Sequence, residues 1–373
     1  MKMSKFILKQ ITLENFRGFE NLTLDLDSSL NIIIGENGSG KTAIIDSIAI
    51  ISAKLAEKFK YIEYKKISLK LDGLDIRYKC PKSSISADFV IEDEKIEGTV
   101  SINKGQYTGM SQFDPNELSF YDTPNHHIFA YIDCNDVAFF KDWDSWQEDI
   151  NLDAVRRVVY SILSDDNNEF ENLWQIKDSQ KGVTTIKIKK NKIPLSTNRL
   201  SSGEKFLLVL ALDLARRLAI ANSDKDEPLN GHGIVLIDEV GLHLHPRWQR
   251  EIVPKLRKFF PNCQFIITTH SPLVIGNTKP EHIIMLSDFK VLEHKPYTHG
   301  RDVNSVLYEL MGVEKRPKKF QKEIDKVYSL IDKDGKIEQA KKVLAELSKD
   351  LGGNDIEIVR ANSHIDFMEG LGE

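Results

Sequence analysis

Lys41 and Thr42 close the run Gly35, Glu36, Asn37, Gly38, Ser39, Gly40, Lys41, Thr42, which has the pattern Gly-x4-Gly-Lys-Thr. At that spacing the glycines let successive backbone N–H groups turn toward a phosphate, the lysine ammonium holds β- and γ-phosphates, and the threonine hydroxyl ligates Mg2+. Far down the chain the apolar run 233–237 ends in two adjacent carboxylates, Asp238 and Glu239. Beside a phosphate loop, Asp238 is suited to hold the metal and Glu239 to act as general base on the attacking water. Alone, the same pair reads as a buried strand that runs out into a solvated acidic turn. Together the two motifs point to a metal-bound nucleoside triphosphate. The loop reads phosphates and leaves the base open.

The flanking residues supply the elements such chemistry needs. Ile32, Ile33 and Ile34 fit a buried parallel strand ahead of the loop, and 43–49 fits a helix whose positive end faces the phosphates. A second strand, 264–269, ends at His270. Between them, Ser201 and Ser202 suit a helix N-cap, Gly203 follows, and Glu204 suits the first turn of a long apolar helix over 205–220. A plain capped helix and a structural histidine would each explain these residues taken singly. His243 and His245 alternate on one face but lack carboxylates or cysteines at ligand spacing, so no metal site is expected of them.

With 41% hydrophobic and 29% charged residues in 373, the chain has the composition of a soluble globular protein. The N-terminal apolar stretch is too short for an export signal, and no run reaches membrane-spanning length, which predicts a cytoplasmic protein without membrane contact. Three cysteines, Cys80, Cys134 and Cys263, lack metal-type spacing and read as reduced thiols. A net charge of −5 argues against general coating of nucleic acid but leaves local basic patches open. The lysines of 54–70, interrupted by Tyr61 and Tyr64, and the run Lys187 to Lys192 are such patches; the first reads equally as a solvated helix face and the second first as a hairpin.

The order phosphate loop, Leu200-Ser-Ser-Gly-Glu204, acidic strand and strand-terminal histidine resembles the ABC-type ATPases. The resemblance implies that Ser201, Ser202, Gly203 and Glu204 form the signature that meets the ATP held by another subunit, and that His270 senses the γ-phosphate. The opening Ile11-Thr-Leu-Glu-Asn-Phe-Arg-Gly-Phe19 is similar to the SMC, RecF and OLD heads, where the arginine of this element approaches the nucleotide; that points to Arg17. About 160 residues separate loop and signature without sustained heptads, so no SMC-type coiled-coil arm is expected. The tail after His270 is too short for an OLD-type nuclease. The blocks 140–149, 213–219, 240–249 and 260–265 resemble the bacterial ATPases typified by the PtuA subunit of the Septu antiphage system and related retron ATPases. This implies ATP and Mg2+ as cofactors, a head-to-tail dimer or larger oligomer, a small HNH-type endonuclease (PtuB-like) as partner, and DNA as a target of the complex.

The expected fold is α/β: an ABC-type ATPase head with a mixed sheet flanked by helices over 1–290, followed by a C-terminal helical appendage over 291–373. Within the head, 1–150 is the phosphate-loop lobe with an irregular insertion at about 81–130, 151–230 is the signature part, and 231–290 carries the acidic strand and histidine. Phe320, Ile324, Val327, Tyr328 and Ile331 repeat at helical spacing, as do Ile337, Ala340, Val343, Leu344 and Leu347, which predicts an antiparallel helical pair before a last amphipathic stretch from 356 to 367. Such an appendage suits partner binding, self-association or simple capping of the core. Three functional classes stay open: a defence ATPase controlling a separate nuclease, a RecF-like repair factor without one, and a nucleotide-gated scaffold without DNA contact.

Overall fold

The computed structural model describes residues 5–58, 62–64, 70–92, 94–106, 110–113, 127–132, 152–178, 183–242, 244–294, 296–312, 314, 316–332 and 336–370. The block 140–149, with Trp143, Trp146 and Gln147, lies outside them, as do Cys134, His243 and most of the lysine-rich stretch 59–69. Residues 1–301 form one compact unit and 302–373 another.

The first unit is organised around a helix that is buried on nearly every side. Helix α1 (Lys41–Lys58) buries Ile44, Ile45, Ile48, Ile50, Ile51 and Leu55, and such a helix must be covered all round. One cover is an antiparallel sheet in the order β2-β1-β5-β6-β7, made of β1 (Phe6–Phe16), β2 (Phe19–Asp25), β5 (Lys82–Ile91), β6 (Glu94–Asn103) and β7 (Met110–Phe113). The other is a larger sheet in the order β15-β14-β3-β13-β12-β8-β4, in which β3 (Leu30–Gly35), β4 (Ile62–Tyr64), β8 (His127–Ile132), β12 (Gly233–Ile237), β13 (Cys263–Thr268) and β14 (Ile283–Ser287) run parallel. Among the described residues, only its edge strand β15 (Lys290–Val291) is antiparallel. Strands β12 and β13 are buried along their whole length, the pattern of a parallel sheet covered on both faces. Phe6, Leu8, Phe89, Ile96, Ile33, Leu236 and Ile266 meet α1 in one core.

Two polar side chains join what apolar packing alone would leave free to slide. Gln264, fully buried near the start of β13, donates through Nε2 to the carbonyls of Leu8 and Asp27, both at 2.8 Å, and accepts the Leu8 N–H through Oε1 at 2.8 Å. One amide thereby ties the parallel sheet to β1. Buried Asn31 likewise braces the turn into β3, exchanging 2.8 Å hydrogen bonds with the backbone of Asp27.

The signature part of the unit holds α2 (Leu152–Leu163), a three-stranded sheet β11-β10-β9 built from β9 (Phe170–Asp178), β10 (Val183–Lys190) and β11 (Ile193–Ser196), and α3 (Ser202–Ala221). The basic run 187–192 forms the β10–β11 hairpin, its tip residues Asn191 and Lys192 both at positive φ. Helix α3 is apolar around its circumference, and its buried Asp213 pairs at 2.9 Å with Arg217 one turn on.

Two boundaries differ from the sequence reading. Residues 82–103 are not an irregular insertion: Ser83, Ile85, Ala87 and Phe89 point inward in a ten-residue strand that pairs with β1 along its length. Their serines hid the alternation, because Ser83 and Ser84 are buried among the apolar positions. The head also runs past 290, since Thr298 donates to the Thr278 carbonyl at 2.6 Å and Gly300 to that of Gly276 at 2.9 Å. The second unit comprises α6 (Val303–Met311), α7 (Lys318–Asp332), α8 (Ile337–Leu351) and α9 (Ile356–Gly370). Ile324, Val327, Ile331, Ala340, Leu344, Leu347, Ile358 and Ile365 make its core, the helical pair predicted from spacing closed by α9.

Replacing Gln264 by Leu keeps the volume but orphans both Leu8 backbone groups, so we expect a loss of about 3 kcal/mol, from ~1–3 kcal/mol per unsatisfied buried group. Urea unfolding checks it, and an unchanged midpoint would show that this amide does not tie the sheets.

Candidate nucleotide site

The loop 35–42 joins β3 to α1, so α1 starts at the lysine itself. Gly35, Gly38 and Gly40 all have positive φ. At Gly40, φ is +104°, and a Cβ would lie 2.6 Å from the Phe19 ring and 2.9 Å from that of Phe289. These two rings pack edge to face at 5.3 Å. Glycine is required there by conformation and by space alike. Lys41 is buried, and its ammonium donates to the carbonyls of Gly35 (3.1 Å) and Glu36 (2.9 Å). Burial pulls its pKa below the usual lysine range, against the opposing charges of Glu239 and Asp238.

Parallel pairing of β12, β13 and β3 brings their C-terminal ends to the same edge of the sheet. Thr42 donates through Oγ1 to Asp238 Oδ2 at 3.2 Å, across 196 positions of sequence. Thr268, the last residue of β13, donates its hydroxyl to the other Asp238 oxygen and accepts the Glu239 N–H at 2.7 Å. That second bond holds Glu239 in the left-handed region, with φ of 54°, a conformation that costs ~1 kcal/mol or more for a residue with a side chain. Thr268 thus sets both carboxylates. Its place near the end of the predicted strand 264–269 was visible in sequence, but its two partners were not.

His270 follows two residues later, and its Nε2 is buried without a hydrogen-bond partner. Burial lowers its pKa below the ordinary imidazole range, and the nearby Lys41 charge acts in the same direction. Ser271 then donates to Gln249 Oε1 at 2.6 Å, while Gln249 Nε2 donates to the carbonyls of Gly241 (3.2 Å) and Leu244 (2.8 Å). The loop after the acidic pair is therefore wired to the histidine strand through Gln249, on α4 (Pro246–Phe259). His245 is the N-cap of that helix, its Nδ1 accepting the Arg247 N–H.

Lys41, Thr42, Asp238, Glu239 and His270 are therefore neighbours. Arg17 lies at the margin: its Nε donates to Asp75 at 2.8 Å and its NH1 to Asp46, one turn beyond Thr42, at 2.6 Å. Burial works against its charge, yet the two carboxylates together raise its pKa. Asp46 and Asp75 carried no readable signal in sequence, because Asp75 comes from a distant 3-10 turn. The signature stands apart. Ser201 is the N-cap of α3 in a capping box with Glu204, and Glu204 also pairs with Lys190 at 2.6 Å. Ser201 and Ser202 are exposed and Gly203 is buried; among the described residues no hydrogen bond ties the segment to the loop 35–42.

The family model of the RecF/RecN/SMC N-terminal domain matches residues 7–288. The chain belongs to this family. Among curated relatives, the Retron Ec83 probable ATPase of Escherichia coli is 26% identical over 467 aligned residues, covering 95% of this chain and 86% of that protein. The Septu protein PtuA of Bacillus mycoides is 25% identical, covering 92% of this chain and 50% of its own length. The crystal structure of the Smc head bound to the C-winged helix domain of ScpA matches with a TM-score of 0.52 at 16% identity, over 77% of this chain and 97% of that one. The α/β fold is thus that of the SMC and RecF heads, an ABC-type ATPase fold. Within this RecF/RecN/SMC member, no helix of the described residues is long and apolar enough to cross a membrane.

The donors fit a triphosphate with Mg2+. The orphaned His270 Nε2 and the Lys41 ammonium, satisfied only by loop carbonyls, suit phosphate oxygens, and the all-oxygen pair Thr42 and Asp238 suits a hard cation. We expect Thr268→Val to lower nucleotide turnover by about tenfold or more, since it frees Asp238 and the strained Glu239 together; unaltered turnover in a phosphate-release assay would remove Thr268 from the site. The depressed His270 pKa gives a further expectation. Below about pH 6.5 the unfolded chain takes up the proton first, so folded stability falls as pH drops through that value. His270→Asn should therefore lose less stability than the parent between pH 7 and 5.5, as read by thermal melting.

Proposed function

We propose that this chain is the ATP-binding and ATP-hydrolysing subunit of a cytoplasmic antiphage defence complex, working as a head-to-tail dimer that governs a separate HNH-type endonuclease acting on DNA. The observation that carries the hydrolase reading is the convergence of Lys41, Thr42, Asp238, Glu239 and His270 around one phosphate loop. Similarity to a retron ATPase and to PtuA over more than nine-tenths of the chain supports the defence role and the nuclease partner.

Metal-bound ATP supplies an electrophilic γ-phosphoryl group whose charge the metal partly neutralises. The loop N–H groups of residues 35–42 and the Lys41 ammonium bind the phosphates. Thr42 and Asp238 hold Mg2+, Glu239 takes a proton from the attacking water, and the buried His270 Nε2 hydrogen-bonds at the γ-phosphate. Arg17 approaches the nucleotide from β1 once released from Asp46 and Asp75. The exposed Ser201 and Ser202, backed by Gly203 and the capping Glu204, complete the site of the opposite subunit. Closure stores the nucleotide's binding energy in the dimer, and hydrolysis releases it to the partner.

Glu239→Gln should cut turnover by at least about 10²-fold, as loss of a general base does, while ATP-bound dimers accumulate in native mass spectrometry; Lys41→Ala should yield neither turnover nor dimers. Unchanged turnover in both would sink the hydrolase reading. Mass spectrometry of what copurifies with the tagged chain from its own operon tests the rest: a stoichiometric small nuclease supports the effector reading, whereas a bare homodimer replaces it with the RecF-like one.

A further inference from the structure

A second concave site lies away from the phosphate loop, between α2 and strands β9 and β10. It is a cleft of about 750 Å3, the size range of small-molecule sites. Arg156, Arg157 and Lys189 bring three cations to it, and Tyr160, Leu173 and Trp174 line it with aromatic and apolar surface; Asp153 is the one carboxylate among its lining residues.

Two of the cations are loosely held. Arg156 meets Asp153 only at 3.6 Å, where the Asp153 side chain is 89% exposed, and Lys189 meets Glu171 only at 3.9 Å. Solvent-screened pairs at such distances contribute little, so an incoming anion displaces them readily. The wall is built more firmly. The Tyr160 hydroxyl accepts the Leu173 N–H at 2.6 Å, which pins the ring to β9. The β9–β10 register slips between Lys187 and Lys189, and Asn172 opposite adopts a φ of +48°. Such a bulge re-aims the neighbouring side chains, and here they are Leu173, Trp174 and Lys189.

We infer that this cleft binds a nucleoside phosphate, either a free nucleotide or one unit of a single strand, with its phosphate on Arg156, Arg157 and Lys189 and its base against Tyr160 and Trp174. Cations beside aromatic side chains suit both halves of that ligand: the charges attract the phosphate, and the rings offer a stacking surface to any base. A purely apolar ligand would bring no counter-charge to a wall that carries three cations and one lining carboxylate. The inference is independent of the hydrolysis reading, because no lining residue belongs to the phosphate loop, the acidic strand or the histidine.

The test uses the full chain carrying Lys41→Ala, so that the phosphate loop does not contribute. Binding of a short fluorescent oligothymidylate is followed by anisotropy across a salt series, and binding of thymidine monophosphate by calorimetry. Arg156→Gln with Arg157→Gln should weaken binding at least about tenfold and flatten the salt dependence by roughly 0.7 per lost phosphate contact. Trp174→Leu, with folding verified by thermal melting, should weaken it about tenfold through lost stacking while leaving the salt slope unchanged. Oligonucleotide binding alone that responds to these variants assigns the cleft to a strand; monophosphate binding that responds equally assigns it to a free nucleotide. Binding of neither probe, or parental affinity in the double arginine variant, overturns the inference. ATP turnover by the double arginine variant with Lys41 intact, which should match the parent, keeps this outcome separate from any failure of the hydrolase reading.

Discussion

Helix α1 is buried on nearly every side, and water must be excluded from most of it. Ile44, Ile45, Ile48 and Ile51 are fully buried, so the helix needs cover above and below, and the chain provides two sheets of different construction. The antiparallel sheet supplies one face and the parallel sheet the other. Because α1 begins at Lys41, this burial also fixes the phosphate loop in space. A loop whose N–H groups must converge on a ligand gains its precision from the helix behind it. Phe19 and Phe289, packed against Gly40, hold the same junction from the outside.

Apolar cover sets distances between layers but not the lengthwise position of one strand on another. Here a few buried polar side chains do that. Gln264 fixes β13 to β1 through three 2.8 Å hydrogen bonds, and Thr268, four residues on along the same strand, fixes Asp238 and Glu239. One strand thus connects the packing of the two sheets with the placement of two carboxylates. Ser271 and Gln249 carry the network onward into the loop 241–244. A change of state at His270 therefore has a physical route to that loop, through the backbone to Ser271 and then through part-buried hydrogen bonds of 2.6 to 3.2 Å. Such a route supplies contact; a coupling free energy is established by mutant cycles across it.

The remaining parts depend less on that network. The segment that opens α3 is stabilised locally, by its own capping box and by Lys190, and presents two exposed serines. The C-terminal unit has its own core of three helices and leaves Ile356, Val359 and Phe367 of α9 exposed. The first leaves its serines facing solvent. The second is a self-sufficient body with apolar surface to spare.

Local pattern determined much of this by sequence alone. The spacing of Gly35, Gly40, Lys41 and Thr42 specifies a loop whose use depends on neighbours within eight residues, and the apolar runs at 233–237 and 264–268 specify buried strands by their continuity. The helical pair of α7 and α8 was legible for the same reason, since periodicity is a property of adjacent residues. Strand β5 was not, because Ser83 and Ser84 are buried where only the neighbouring elements show that they are covered. Tertiary structure alone decided that Thr42 and Asp238 meet across 196 positions, that Thr268 bonds both the Asp238 carboxylate and the Glu239 N–H, that Asp46 and Asp75 engage Arg17, and that Arg156 and Trp174 share one cleft. Hydrogen bonds and ion pairs between distant segments depend on strand order and register, which no short stretch of sequence encodes.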